Sequence, residues 1–189
     1  MEESFDDPLP DQPWWINACQ SVQPTGWALR AAFRDRWLRI HSLTDSIRYP
    51  ATPQDWSELR HRHRHATSLL LREGEHGFLI APWACASHEA FSGFGLRPSR
   101  HVPEYQPDDQ EPPGGPFHAC AICWSFDSFT PILDAVAEDA TCALFTSADA
   151  SRIYAPYDGG ADLFTTDPHQ LTALRLALKE YLSTRSDGL

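Results

Sequence analysis

Apolar residues recur along this chain in two periods, and the switches between them mark out its elements. From Gly26 to Leu38, Leu29, Phe33 and Trp37 return every four residues, with Trp27, Ala31 and Arg34 on an adjoining side; this is a helical stripe. Leu38-Arg39-Ile40-His41-Ser42-Leu43 then alternates in the manner of a short strand. Thr52-Pro53-Gln54-Asp55 spells a helix start: threonine caps, proline takes the first helical position, and aspartate suits the positive end of the helix dipole. This helix is expected to run to about Arg72, stop before Gly74, and turn Trp56, Leu59, His63, Ala66 and Leu70 inward. His76 to Trp83, centred on Phe78-Leu79-Ile80-Ala81, reads as a buried strand.

Pro103 to Pro116 mixes prolines and glycines with Asp108, Asp109 and Glu111. It is a connection, either dividing two sub-lobes or looping over one domain. After it come a strand over Phe117–Phe126, a helix over Phe129–Ala137, and strands near 141–146, 152–155 and 161–165. A last helix starts at Asp167-Pro168 and runs to about Ser183, with Leu171, Leu174, Leu178 and Tyr181 or Leu182 inward. Residues 1–13 are an acidic, proline-rich tail, and Trp14-Trp15-Ile16 is apolar enough to dock on the body. The pattern predicts an α+β fold over residues 14–189: a mixed or mostly antiparallel sheet with helices packed on one face.

The segment Ile153-Tyr154-Ala155-Pro156-Tyr157-Asp158-Gly159-Gly160-Ala161-Asp162-Leu163-Phe164 spells a local geometry most clearly. Two β-forming runs flank Asp158-Gly159-Gly160, which offers the positive-φ positions of a tight hairpin. The turn is acidic, and Tyr154 and Tyr157 flank it as candidate exposed anchors of the kind that dominate interfaces. Asp158 and Asp162 also form a carboxylate pair able to act as acid and base, although aspartate is common at turns for backbone reasons alone.

Charge narrows the choice of partner. Met1–Val102 holds 12 acidic and 11 basic residues, a net of −1, whereas Pro103–Leu189 holds 14 and 4, a net of −10. A half so negative repels nucleic acid, whose phosphates need lysine and arginine, and it steers a basic protein inward. Solubility alone also accounts for acidity. No apolar run reaches the roughly 20 residues of a membrane span. The acidic start Met1-Glu2-Glu3-Ser4-Phe5-Asp6-Asp7 is unlike a secretory signal. Five cysteines, an odd number in a chain too large to need staples, suit a reducing, cytoplasmic setting.

Other chemistry is thin. Glu58, His61 and His65 share a helix face at spacings of three and four, which suits a metal ion, but no fourth ligand follows. His63 lies on the apolar stripe as a core histidine. Cys120-Ala121-Ile122-Cys123 is a C-x-x-C within an alternating run, which reads as small core thiols. No phosphate-binding glycine loop, nucleophile elbow or H-E-x-x-H is present, and nothing calls for a cofactor.

Arg39-Ile40-His41-Ser42-Leu43, Ser46, Arg48-Tyr49-Pro50 and Leu59-Arg60-His61-Arg62-His63 resemble the N-terminal part of a loosely defined group of uncharacterised bacterial proteins. Tyr154 with Pro156-Tyr157-Asp158-Gly159-Gly160 and Asp162, the terminal helix and the closing Ser-Asp-Gly-Leu resemble the end of the same group. The resemblance implies a compact cytoplasmic protein similar to the small acidic immunity proteins encoded beside secreted toxins, and it brings no functional residue with it. The expected function is therefore that of an immunity, or antitoxin-like, protein that neutralises a basic toxin domain by binding. Its expected contacts are Tyr154, Tyr157, Asp158, Asp162, Asp108, Asp109 and Glu111. The alternative is a small hydrolase or nucleotide-processing enzyme using Asp158 or Asp162 with a histidine.

Overall fold

A computed structural model describes residues 14–104 and 115–183. Its centre is a seven-stranded sheet made of β1 (Trp37–His41), β2 (His76–Pro82), β3 (Arg97–Pro98), β4 (Phe117–Cys123), β5 (Leu144–Ser147), β6 (Arg152–Tyr157) and β7 (Gly160–Thr165). The spatial order is β1-β7-β6-β5-β2-β4-β3, and every pairing is antiparallel. The fold is α+β. Strands from either side of residues 103–116 interleave, since β2 lies between β4 and β5.

Side chains alternate across this sheet, and each face has its own core. Leu38, Ile40, Leu79, Ala81, Cys120, Ile122, Phe145, Tyr154, Ala161 and Leu163 point to the first face. There they meet α3 (Pro53–Leu70), α4 (Phe126–Ala137) and α5 (Pro168–Ala177) through Ala66, Leu70, Phe129, Ile132, Leu133, Val136, Leu171 and Leu174. Trp37, Phe78, Ile80, Phe117, Ala119, Leu144, Ile153, Ala155 and Phe164 point to the second face. Two short helices, α1 (Trp14–Cys19) and α2 (Gly26–Ala32), cover part of it with Trp14, Trp15, Cys19 and Leu29. Helices thus lie on both faces rather than one. The apolar pair Trp14-Trp15 requires this: both indoles are buried, Trp14 stacked on Phe78 at 4.0 Å.

The α3 start carries the full capping box: the Thr52 hydroxyl accepts from the Asp55 N–H, and the Asp55 carboxylate accepts from the Thr52 N–H. The stripe of Leu59, His63, Ala66 and Leu70 is buried as its spacing predicts. The helix expected over Gly26–Leu38 is cut short. Phe33 leaves helical geometry, residues 34–36 form one 3-10 turn, and Trp37 already belongs to β1. The four-residue repeat of Leu29, Phe33 and Trp37 therefore bridges a helix and a strand. The α4 helix begins at Phe126, earlier than expected, and α5 ends at Ala177 before a 3-10 turn over Lys179–Tyr181.

His63 ties α3 to two strands. Its Nε2 lies 2.7 Å from the Ser42 hydroxyl, and its Nδ1 bonds the Tyr154 hydroxyl. One ring nitrogen donates and the other accepts, so the neutral ring satisfies both partners. Burial, aided by the Arg62 charge, lowers its pKa from the ordinary 6.5 to about 4. Below pH 6.5 the unfolded chain takes up a proton that the native state refuses until about pH 4. Stability from this residue is thus whole above pH 6.5 and drains as pH falls to 4, by about 3 kcal/mol in all. Denaturant titrations at pH 7.5 and 4.5 should show this. His63→Gln should be less stable than the parent at pH 7.5 yet lose less on acidification; an equal loss in both would remove His63 from the account.

Candidate functional site

The β6–β7 hairpin closes as expected, with Tyr157 opposite Gly160. Its glycines serve another purpose than positive φ, however, because Asp158, Gly159 and Gly160 are all absent from the positive-φ region. Gly160 is needed for close approach: a Cβ there would sit 2.0 Å from the Ile40 carbonyl oxygen and 2.9 Å from the Tyr157 hydroxyl. That approach is what lets β1 pair with β7 and bring Arg39 opposite Asp162.

Asp162 is 2% exposed and organises its surroundings. Arg39 grips it with two hydrogen bonds, Nε to Oδ1 at 2.8 Å and Nη2 to Oδ2 at 2.9 Å. The Trp37 indole donates to Oδ1 at 2.8 Å, and Arg30 of α2 stands 3.8 Å from Oδ2. Burial opposes the charge on Arg39, but the Asp162 hydrogen bonds and charge outweigh it and raise the guanidinium pKa. Arg39 also lies over the Tyr157 ring, 4.6 Å from its centroid, and burial pushes the Tyr157 phenol up to about 12. Asp158 is buried too; it receives the Arg48 guanidinium and, at 3.0 Å, the Tyr49 hydroxyl. Gly26 lets α2 start against this cluster, since a Cβ there would meet Asp162 Oδ2 at 3.1 Å and Ala155 Cβ at 3.4 Å.

Together these groups floor a cleft of about 780 Å³ on the second face of the sheet, where the α1–α2 layer ends. Arg30 and Trp27 form one wall, Ser46 and Arg48 another, and Trp83, Cys85 and Cys142 the far rim. Asp45 and Ser46, in the loop leading to Arg48, hold φ of 56° and 57°, a left-handed conformation that costs non-glycine residues energy. Three arginines stand against two carboxylates here, in a chain of formal net charge −11. Trp27 and Trp83 are 49% and 41% exposed on the rim, unlike buried Trp14, Trp15, Trp37 and Trp124. His41 lines the cleft beside Arg39; burial, then the charges of Arg39 and Arg62, lowers its pKa, and its Nε2 has no hydrogen-bond partner among the described residues.

The expected contact residues separate accordingly. Tyr157, Asp158 and Asp162 meet in the cleft. Tyr154 is not the exposed anchor expected: it is 0% exposed and points to the opposite face, because residues three apart on a strand diverge. Asp158 and Asp162 are likewise buried rather than presented, each held by an arginine. Asp108, Asp109 and Glu111 lie outside the described residues. Glu58 is engaged by Thr44 and Arg62, and His65 by the Tyr181 hydroxyl; among the described residues no group of three or more metal-ligating side chains gathers. Of the C-x-x-C pair, Cys120 is core but Cys123 is exposed, with its thiol on the Gly74 carbonyl. Sequence reasoning gave no role to Arg30, Arg39, His41, Arg48, Trp27 or Trp83. One signal was available: Arg39 and His41 alternate with Leu38 and Ile40, which places a cation and an imidazole on one strand face.

These features define an antiparallel α+β protein with an arginine-floored, aromatic-rimmed cleft. The chain belongs to the DUF3885 family, a domain of unknown function, whose family model matches residues 25–186. No curated protein and no solved structure matches the chain. No helix among the described residues is long and apolar enough to cross a membrane.

Removing the Asp162 charge should unbalance the floor, because Arg39 is left half-buried without its counter-ion. Asp162→Asn is expected to lower stability by about 3 kcal/mol. Asp158→Asn should lower it far less, since its partner Arg48 has a side chain 64% exposed. Denaturant midpoints of the two variants check this ordering, and equal losses would contradict the proposed difference in burial.

Proposed function

We propose that this protein acts by binding, as an immunity (antitoxin-like) protein that neutralises a partner bacterial toxin, and that the cleft is where the partner seats. The observation that carries this reading is the division of labour in the cleft. Asp158 and Asp162 are occupied by Arg48, Tyr49, Arg39 and Trp37, whereas the half-exposed rings of Trp27 and Trp83 are turned outward. Exposed tryptophans around a concavity are the anchors interfaces favour, and guanidinium edges donate to carbonyl and carboxylate oxygens on a partner. The net charge of −11 would steer a basic toxin domain from a distance, at a rate that falls with salt. Tyr157 takes the anchor role on the floor of the cleft.

The test is co-production with the toxin domain encoded beside this gene. The parent should rescue growth and bind the purified domain. Trp27→Ala with Arg48→Ala should weaken binding at least tenfold with the fold retained. A neighbouring toxin that is neither bound nor neutralised, or a double variant as protective as the parent, would sink the reading.

One observation favours the enzyme alternative, a small hydrolase or nucleotide-processing activity. His41 shares the cleft with Asp158 and Asp162, and its Nε2 is buried there without a hydrogen-bond partner among the described residues. Turnover of a nucleotide or phosphoester that His41→Gln abolishes would establish that activity; inactivity of the parent across such a panel would dismiss it.

A further inference from the structure

None of the five cysteines is in a disulfide, and their settings differ sharply. Cys19 and Cys120 are buried, and burial pushes both thiols up to about 12. Cys123 is exposed on a strand edge with its thiol on a carbonyl. Cys85 and Cys142 are unlike these three, because they come together on the rim of the cleft.

The strands make this meeting. The register that sets Ile80 of β2 opposite Leu144 of β5 carries the residues just beyond each strand to the same end of the sheet. After β2 the chain folds back in a turn, with the N–H groups of Cys85 and Ala86 both donating to the Pro82 carbonyl, at 2.9 and 3.0 Å. This turn leaves half-buried Cys85 on the same rim as exposed Cys142. Hydrogen bonding from Cys142, set against burial, favours the thiolate of Cys85. Thr141, itself buried, also lies 3.5 Å from the Cys85 carbonyl oxygen, which fastens the two segments together.

We propose that Cys85 and Cys142 are a peroxide-reactive thiol pair on the cleft rim, in which Cys85 attacks a hydroperoxide and Cys142 resolves the product to an intramolecular disulfide. Hydrogen bonding from a neighbouring thiol stabilises a sulfur's anion more than its protonated form, and the thiolate is the nucleophile. The Cys142 hydrogen bonds lead this effect and outweigh burial, lowering the Cys85 thiol from the ordinary 9.0 to about 6. In the first step the Cys85 thiolate attacks the terminal peroxide oxygen. The O–O bond breaks, an S–O bond forms, and water or an alcohol leaves after taking a proton; sulfur is oxidised and the peroxide reduced. In the second step the Cys142 sulfur attacks the Cys85 sulfenic acid. The S–S bond forms, the S–O bond breaks, and hydroxide leaves as water with the Cys142 proton. The hydroperoxide is the only oxidant required, and cellular dithiols return the pair to its reduced state.

The pair does not depend on the binding reading above, and its test requires no toxin. The fully reduced protein is treated with hydrogen peroxide, and separately with tert-butyl hydroperoxide, at stoichiometric concentration. Expected are a mass loss of two hydrogens, loss of two titratable thiols, and a single peptide cross-link joining Cys85 to Cys142. Alkylation of reduced Cys85 should outpace that of Cys123 at pH 6.5, and its rate should rise through pH about 6. Cys142→Ser should stop at a sulfenic acid that dimedone traps, while Cys85→Ser should react no faster than free cysteine. A wild-type protein that yields only intermolecular disulfides, or whose Cys85 alkylates no faster than Cys123, overturns the proposal without needing either variant to fold. A neighbouring toxin that the parent neither binds nor neutralises would leave this outcome untouched, so the two readings fail separately.

Discussion

The contact between Arg39 and Asp162 organises this molecule. It is a bidentate pair between directly opposed residues of β1 and β7, on a face that becomes half-buried once α2 packs over it. A charge in such a place is tolerated only with its counter-charge and with its remaining lone pairs occupied. The Trp37 indole and the approach of Arg30 supply that completion. Everything around the cleft follows from its position. Tyr157 lies beneath the Arg39 guanidinium, α2 starts where Gly26 can pass Asp162, and the sheet edge is closed by β1 through the absence of a Cβ at Gly160.

The two faces of the sheet are sealed to different extents. The first face carries the aromatic cluster of Trp124, Phe129, Phe145 and Tyr154, in which Trp124 stacks on Phe129 at 5.2 Å and stands edge-on to Phe145. Three helices seal it, and the Ser42–His63–Tyr154 array pins the longest of them to the sheet. The second face is sealed only in part, by two short helices rich in tryptophan. The uncovered part is where arginines, half-exposed rings and the Cys85–Cys142 pair collect. Layer architecture thus decides the location of the cleft before any side-chain chemistry is considered.

Much of this was legible in the sequence where a single local rule governs. The Thr52 cap, the α3 stripe, the β2 run and the β6–β7 hairpin all follow from period and punctuation. His63 was legible as a core histidine because it sits on that stripe. What was not legible depends on contacts between distant segments. Tyr154 and Tyr157 look alike along the chain, yet the two-residue period of a strand sends one into the core and the other into the cleft. Asp158 and Asp162 look like solvent-facing turn residues until β1 and the Arg48 loop arrive to bury them. Trp27 looks like a helix-face core residue, and only the end of the α1–α2 layer leaves it half in water. Gly159 and Gly160 suggested backbone torsion, whereas space for Ile40 is the actual demand at Gly160.

The pairing of β1 with β7 has one further consequence. Arg39 and Asp162 are 123 residues apart in the chain. A nascent polypeptide emerging from the ribosome therefore carries β1 as an unpaired edge until synthesis has passed the hairpin, and its backbone donors and acceptors stay open for that whole interval. The cleft is among the last features the growing chain can assemble, so early products of translation, or products truncated before β7, hold α3 and α4 without the cleft.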